Sequence, residues 1–355
     1  MTQAGNPELT WETAAETNIG IDFGILNNRF TGSLDAFNKT IRNLISFMPF
    51  PSDFMVSGVY GNAGKTKSTG YEISIQSKNI VSNKEGGLTW STSLTFSHYL
   101  NYWVERSAQS LATLPKYVTA TGKKALFNGY YGYETNGLFS GNYGTAPATM
   151  PNMLPGGIIV NDIHGYDING NLTEPDGKIT AADQTLLANM DPKYNFGLGN
   201  TFTFKNFDLN IFLSGIVRNG IDPYSPSGIY RMSLVQDNLL SFGWNESNLI
   251  KERWTFQNPN GIRPTGISDG SYATYQNNSN YWIMDASFIR CKNITLGYTI
   301  PGTWLKSNLI SSCKMFIDVQ NAFTITKYPG LDPEQSQNNY YPYSKSVVFG
   351  LSIGF

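Results

Sequence analysis

Along the last ten residues of the chain apolar and small side chains take turns. Val347, Phe349, Leu351, Ile353 and Phe355 are apolar, and Gly350, Ser352 and Gly354 stand between them. A strict period of two places one row of side chains on each face of a strand, so this stretch predicts a strand with one fully apolar face. The same beat recurs upstream. Ile19, Ile21, Phe23 and Ile25 run into Asn27-Asn28, and Phe30, Leu34 and Ala36 return. Tyr71, Ile73 and Ile75 pair through a turn near Asn83 to Gly87 with Leu88, Trp90, Leu94 and Phe96. Phe196, Leu198, Phe202 and Phe204 turn at Lys205-Asn206 into Phe207, Leu209, Ile211 and Leu213. Ile294, Leu296 and Tyr298 precede a Pro301-Gly302 break, with Ile317 and Val319 beyond it. Four hairpins and the terminal strand make nine strands.

The connections fall into two classes. Those inside hairpins are short, whereas residues 46–65, 105–190, 220–283 and 325–343 are long, polar and rich in Gly, Pro, Asn and Tyr. Long and short ends therefore alternate, as in membrane barrels with short periplasmic turns and long extracellular loops. In a compact soluble domain, loops this long would count against the strands themselves. The fold class predicted is all-β: an antiparallel transmembrane β-barrel, here a partial barrel of about nine strands, with helix confined to short turns in the loops.

Composition sharpens this picture. Aromatic residues make 14% of the chain, and charged residues only 14%, below the usual quarter. No apolar run reaches the roughly 18 residues of a membrane helix. Strands that meet lipid with alternate residues reconcile a wet average with an apolar face. A net charge of -1 offers no basic stripe for a phosphate backbone, so nucleic acid is not a partner. Cys291 and Cys313 read as unpaired thiols. The start, MTQAGNPELTWE, carries no secretory signal. Nine strands ending in the periplasm put residues 1–15 outside the cell, whereas a complete single-chain barrel has an even number. The expectation is a fragment, or strands that the pattern does not reveal.

Several segments resemble the C-terminal half of SusC/RagA-type TonB-dependent transporters. Asn6-Pro7-Glu8-Leu9-Thr10-Trp11-Glu12 with Thr17-Asn18-Ile19-Gly20-Ile21-Asp22 is similar to that family's lead into a strand, and Thr69-Gly70-Tyr71-Glu72 to a strand start. Asp285-Ala286-Ser287-Phe288-Ile289-Arg290 with Lys292-Asn293-Ile294-Thr295-Leu296-Gly297-Tyr298 resembles another signature, and Asn321-Ala322-Phe323-Thr324, Tyr328 and Gly330-Leu331-Asp332-Pro333-Glu334 a last one. The resemblance implies that residues 1–355 are the C-terminal portion of a TonB-dependent receptor barrel of about 22 strands, without its plug and early strands. It further implies residence in the outer membrane of a Gram-negative cell, import of oligosaccharide or oligopeptide, energy from a TonB complex reached through the missing N-terminal part, and a SusD-like lipoprotein cap. Outer-membrane lipid is then the remaining partner.

Candidate chemistry is sparse. Asp167, Asn169, Asp176 and Asp183, with the carbonyl of Lys178, follow the oxygen-ligand spacing of a Ca²⁺ loop, interrupted by Asn171 to Pro175. A Ca²⁺ site and a plain acidic loop both fit, and no cofactor is required. Tyr130, Tyr131, Tyr133 and Trp244 are the candidate substrate-binding aromatics of the loop surface; Trp254, Tyr281, Trp282, Tyr340, Tyr341 and Tyr343 are assigned to belt or loop packing. His98 and His164 are the only histidines, and neither a metalloprotease helix motif nor a nucleophile elbow occurs, so no enzyme is expected. The competing function is a soluble, secreted β-sandwich that binds carbohydrate through loop aromatics.

Overall fold

A computed structural model describes residues 4–50, 53–106, 114–116, 125–225, 251–265, 271–305, 310–334, 341 and 343–355. Nine long strands form one sheet: β1 (Thr13–Ile25), β2 (Phe30–Arg42), β3 (Gly64–Ile80), β4 (Thr89–Arg106), β5 (Tyr194–Phe204), β6 (Phe207–Val217), β7 (Phe288–Thr299), β8 (Ser312–Thr326) and β9 (Ser346–Gly354). Each is antiparallel to the next and the order in the sheet is the order in the chain. All nine were predicted from the alternation, and the five-residue helix Ala273–Asn277 lies in a long loop.

The ladders carry one apolar row from edge to edge. Ile21 faces Leu34, Leu34 faces Ile73, Ile73 faces Phe96, and Phe96 faces Phe196. Farther on, Leu209 faces Leu296, Leu296 faces Ile317 and Ile317 faces Phe349. This row is uncovered: Ile19 is 72% exposed, Leu351 60% and Phe349 78%. The opposite face carries Asp22, Ser33, Ser74, Thr95 and Gly197 in the same registers, and Asn210, Thr295 and Asp318 beyond them. Each strand therefore meets hydrocarbon on one side and polar surroundings on the other, the wall of a membrane barrel. A sandwich would have buried the apolar row against a second sheet, about 10 Å away, and none of the described residues form one.

Two turns at one end are tight, between Ile25 and Phe30 and between Phe204 and Phe207. Leu26, Asn27 and Asn28 take left-handed φ values of 52°, 55° and 59°, where a short amide side chain costs least. The Arg29 guanidinium then donates to the carbonyls of Lys78 and Asn79, tying this turn to the neighbouring strand. At the other end the connections build small two-stranded sheets of their own, the hairpin Ile45–Pro49 with Gly58–Asn62 and the pair Gly129–Tyr133 with Gln184–Asn189. The core of the molecule sits here. One cluster buries Tyr133, Phe139, Met150, Met153, Val160 and Ile179, and another Ile158, Ile221 and Trp282. A sheet that gives its apolar face to lipid must anchor its loops on contacts made among the loops.

The sequence motif around Asn6 to Glu12 finds its role at this end. The Asn6 amide donates to the Tyr60 carbonyl at 2.9 Å, Asn62 accepts from the Thr10 backbone at 2.8 Å, and the Glu12 carboxylate accepts from Ile45 N–H at 2.8 Å. The leading segment is thereby pinned to the first small hairpin before it enters β1.

Candidate functional site

The inner face of the wall is a polar surface. Across β2 to β6 a groove of about 410 Å³ is lined by Ser33, Asp35, Glu72, Ser74, Thr95, Ser97, Asn195 and Ser214, with the Phe212 ring as its one large inward aromatic. Hydroxyls and carboxylates at this density offer hydrogen-bond partners to ligands rich in O–H and N–H groups. These residues are the off-beat positions of the alternation, which is the signal that would have named them.

The face is held by cross-strand ties. Asp318 accepts from Thr295 at 2.5 Å and from the Asn293 amide at 2.9 Å. Lys314 on β8 reaches past β7 to Asp208 on β6 at 2.7 Å. It passes over Gly297, where an added Cβ would stand 2.5 Å from the Lys314 Cε and from an Asp208 carboxylate oxygen. Gly297→Val should therefore separate Lys314 from Asp208 and lower the temperature at which the barrel unfolds on a heat-modifiability gel. Asp208→Asn, which also removes the ion pair, should reproduce only part of that drop, because the valine adds a steric clash.

The rim holds the strongest polar assembly among the described residues. Arg290, 2% exposed, donates to Asp332 at 2.6 Å, Glu334 at 2.8 Å and Thr324 at 3.0 Å, with its guanidinium 4.9 Å from the Tyr343 ring centroid. Lys292 adds a second contact to Glu334 at 3.0 Å. A bulge makes this possible. On β7, Asn293 pairs with Phe212 and Cys291 with Leu213, so Lys292 stands unpaired between them. Without the extra residue, alternation would turn Arg290 to the apolar face; with it, Arg290 faces inward beside Ser214. The sequence motifs contained these four charged residues, but their pairing across more than 40 positions was not assigned. The opposite charges in the two motifs were the available signal.

Among the loop aromatics, Tyr133 departs from the expectation. Tyr133 is 2% exposed, accepts from the Gln184 amide at 3.1 Å and packs edge-on to Tyr275 at 5.0 Å, so it is part of a loop core and not a free capture surface. The cause is its strand: Tyr133 pairs with Gln184, which turns the ring towards Met150 and Val160. Tyr130 packs against Ile158, Ile221 and Trp282, and Tyr131 is half-buried. Burial raises the phenol pKa of Tyr130. Trp244 lies outside the described residues. Trp254 and Trp282 are buried in the loop body.

The acidic loop is tied mainly to its own backbone. Asp167 accepts from the backbones of Asn169 and Asn171 and from the Asn171 side chain; the Asn171 side-chain bond is the leading reason its carboxyl is held below the ordinary range. Asp176 accepts from Lys178 N–H at 2.9 Å. Asp183 is fully buried and accepts from the backbones of Ile163, His164 and Thr180, closing a capping box with Thr180. Among the described residues no three His, Cys, Asp or Glu side chains converge as a metal-holding group, so the three carboxylates Asp167, Asp176 and Asp183 are not brought together beside Asn169 and the Lys178 carbonyl. The five-residue interruption forms instead part of a small hairpin, Gly165–Tyr166 with Leu172–Thr173, that separates Asp167 from Asp176. Cys291 and Cys313 are free.

A nine-stranded antiparallel wall, apolar outside and polar inside with a folded loop body at one end, defines part of a transmembrane β-barrel. Residues 1–322 match the family model described as TonB dependent receptor-like, beta-barrel, and the chain belongs to that family. TonB-dependent receptor P3 of Formosa agariphila is 28% identical over all of this chain and 34% of its own length. TonB-dependent receptor SusC of Bacteroides thetaiotaomicron is 27% identical over 99% of this chain and 33% of its own. The RagAB peptide transporter structure superposes with a TM-score of 0.73 at 25% identity, over 99% of this chain and 36% of that one. These matches bear out the SusC/RagA-type resemblance of the sequence motifs. The chain spans about a third of the length of the relatives it matches.

Proposed function

We propose that this chain supplies the C-terminal part of an outer-membrane barrel that imports oligosaccharides or oligopeptides. In this reading a SusD-like lipoprotein caps the loop end, and a TonB complex supplies energy through a part of the receptor that lies beyond these 355 residues. The observation that carries it is the two-faced sheet: an apolar row that no second sheet covers runs across the nine strands, exposed on β1 and β9 and half-buried among its own neighbours on β4 and β5, and the face behind it is polar. The wall gives the lipid side, the groove at Asp35 and Glu72 gives the conducting side, and the rim ion cluster fixes the last loop above it. The soluble β-sandwich does not account for the open apolar row, which in water would expose far more than the few hundred Å² of apolar patch typical of a soluble monomer.

Uptake tests the reading. Cells lacking the receptor should lose uptake of one labelled class, oligosaccharide or oligopeptide, and cells lacking TonB should lose the same class. Undiminished uptake of both classes in both strains would refute it.

A further inference from the structure

On the inner face of β4, Ser97, Tyr99, Asn101 and Trp103 follow one another from the groove toward the loop end, opposite Glu72, Gly70, Ser68 and Thr66. Simple alternation would then turn Arg106 outward. A bulge prevents this: Trp103 pairs with Thr66 and Glu105 with Lys65, Val104 stands unpaired between them, and Arg106, opposite Gly64, returns to the inner face. Gly64 leaves room for the Trp103 ring, since an added Cβ would stand 3.1 Å from it. The Arg106 guanidinium lies over that ring, 4.7 Å from its centroid. Residues 125–127 pair alongside, with Trp103 N–H donating to the Ala125 carbonyl at 2.8 Å, and the Phe127 ring stacks on Trp103 at 5.2 Å.

This corner holds donors without acceptors. Trp103 Nε1, Arg106 Nε and the Tyr131 hydroxyl oxygen are buried, and none has an acceptor for its hydrogen among the described residues. Tyr131 belongs to the same corner, because its phenol and the Arg106 guanidinium are close enough for their charges to interact. No carboxylate of the chain neutralises the guanidinium here: Glu105 is held by Lys65 on the other face at 3.0 Å, and no Asp or Glu occurs in the sequence from Ser107 to Tyr133. An indole N–H and a guanidinium can only donate, and burying them unpaired is costly. Three donors around one fixed positive charge fit a carboxylate.

We propose that Trp103, Arg106 and Tyr131 bind the terminal carboxylate of a peptide where it enters the inner face. The site rests on the import reading and narrows its cargo to the oligopeptide. Sugar hydroxyls donate as well as accept, and this corner offers them donors only. The Phe127 ring, 46% exposed and stacked on Trp103, offers an apolar surface for the side chain of the peptide's last residue.

The test uses the full receptor that contains this chain, purified in detergent, with binding measured by calorimetry. The ligands are a short alanine peptide ending in leucine with a free carboxyl, the same peptide as its C-terminal amide, and trigalacturonic acid. The parent should bind the peptide acid about tenfold more tightly than the amide, roughly what one hydrogen bond between charged groups is worth. Arg106→Gln should abolish that preference while keeping heat-modifiable migration. Trp103→Phe, which keeps a ring under the guanidinium and removes the indole N–H, should reduce it. Lys39→Gln, which removes an inward cation paired with Glu16 on β1, should leave it intact. Equal binding of acid and amide by the parent, or an undiminished preference in Arg106→Gln, overturns the site. Trigalacturonic acid binding as tightly as the peptide acid overturns the peptide assignment. The import reading fails separately: undiminished uptake in cells lacking the receptor, beside an Arg106-dependent preference for the peptide acid, refutes import and supports the site. Lost uptake beside equal binding of acid and amide does the reverse.

Discussion

Replacing Leu351 with arginine should cripple membrane assembly, whereas replacing its neighbour Ser352 with asparagine should leave it nearly intact. Leu351 pairs with Met315 on the apolar row, while Ser352 pairs with Lys314 on the polar face. A charge on the lipid side of a strand at mid-bilayer costs about 2–4 kcal/mol, and a polar residue facing a wet interior costs little. The measurement is the fraction of receptor recovered in outer membranes in heat-modifiable form. A drop of tenfold or more for Leu351→Arg with near-parental recovery of Ser352→Asn is the expected result. Equal recovery of the two would mean that the exposed row does not meet lipid.

The second large effect lies at the rim. Arg290→Met should leave Asp332, whose side chain is only 6% exposed, without its cation, and Glu334 with Lys292 alone. Removing one partner of a buried ion pair costs about 3–5 kcal/mol, because the remaining charge is left without compensation. The loss should appear as a lower unfolding temperature and as protease cleavage beyond Thr326, where the last long loop begins. Arg290→Met/Asp332→Leu should recover much of the loss, since it removes the stranded charge as well. If the double variant were no better than the single one, the cost would have to come from the packing of Arg290 against Thr324 and Tyr343.

Much of this architecture could be read before any coordinates. The alternation from Ile19 to Ile25 and from Val347 to Phe355 needs no tertiary information, because a strand between lipid and a polar interior repeats its two environments at every residue. The inner groove was implied by the same alternation, since Asp35, Glu72 and Asn195 are its polar beats. The loop end was harder. Tyr133 looks like any exposed loop tyrosine in sequence, and its burial is decided by Met150, Val160 and Ile179, which only the folded loops bring near it. Asp183 follows metal-ligand spacing, yet its carboxylate is engaged by three backbone N–H groups of its own loop. Short polar side chains serve loop turns and cation sites with the same atoms, so spacing alone does not separate the two. The inward aim of Arg290 depends on a single extra residue at Lys292, and simple alternation gives the opposite face.

Because the strands follow one another in the sheet as they do in the chain, each joins an edge formed by its immediate predecessor. Every pairing in the wall is therefore between neighbours in sequence, with tight turns at Asn27 and Lys205. The excursions between β4 and β5 and between β6 and β7 add comparatively little, since each doubling of a flexible loop raises its closure entropy by only about 0.6 kcal/mol. Insertions and deletions in those excursions leave every register in the sheet unchanged. Over generations such a chain can vary its long connections while the stave order of its wall stays constant.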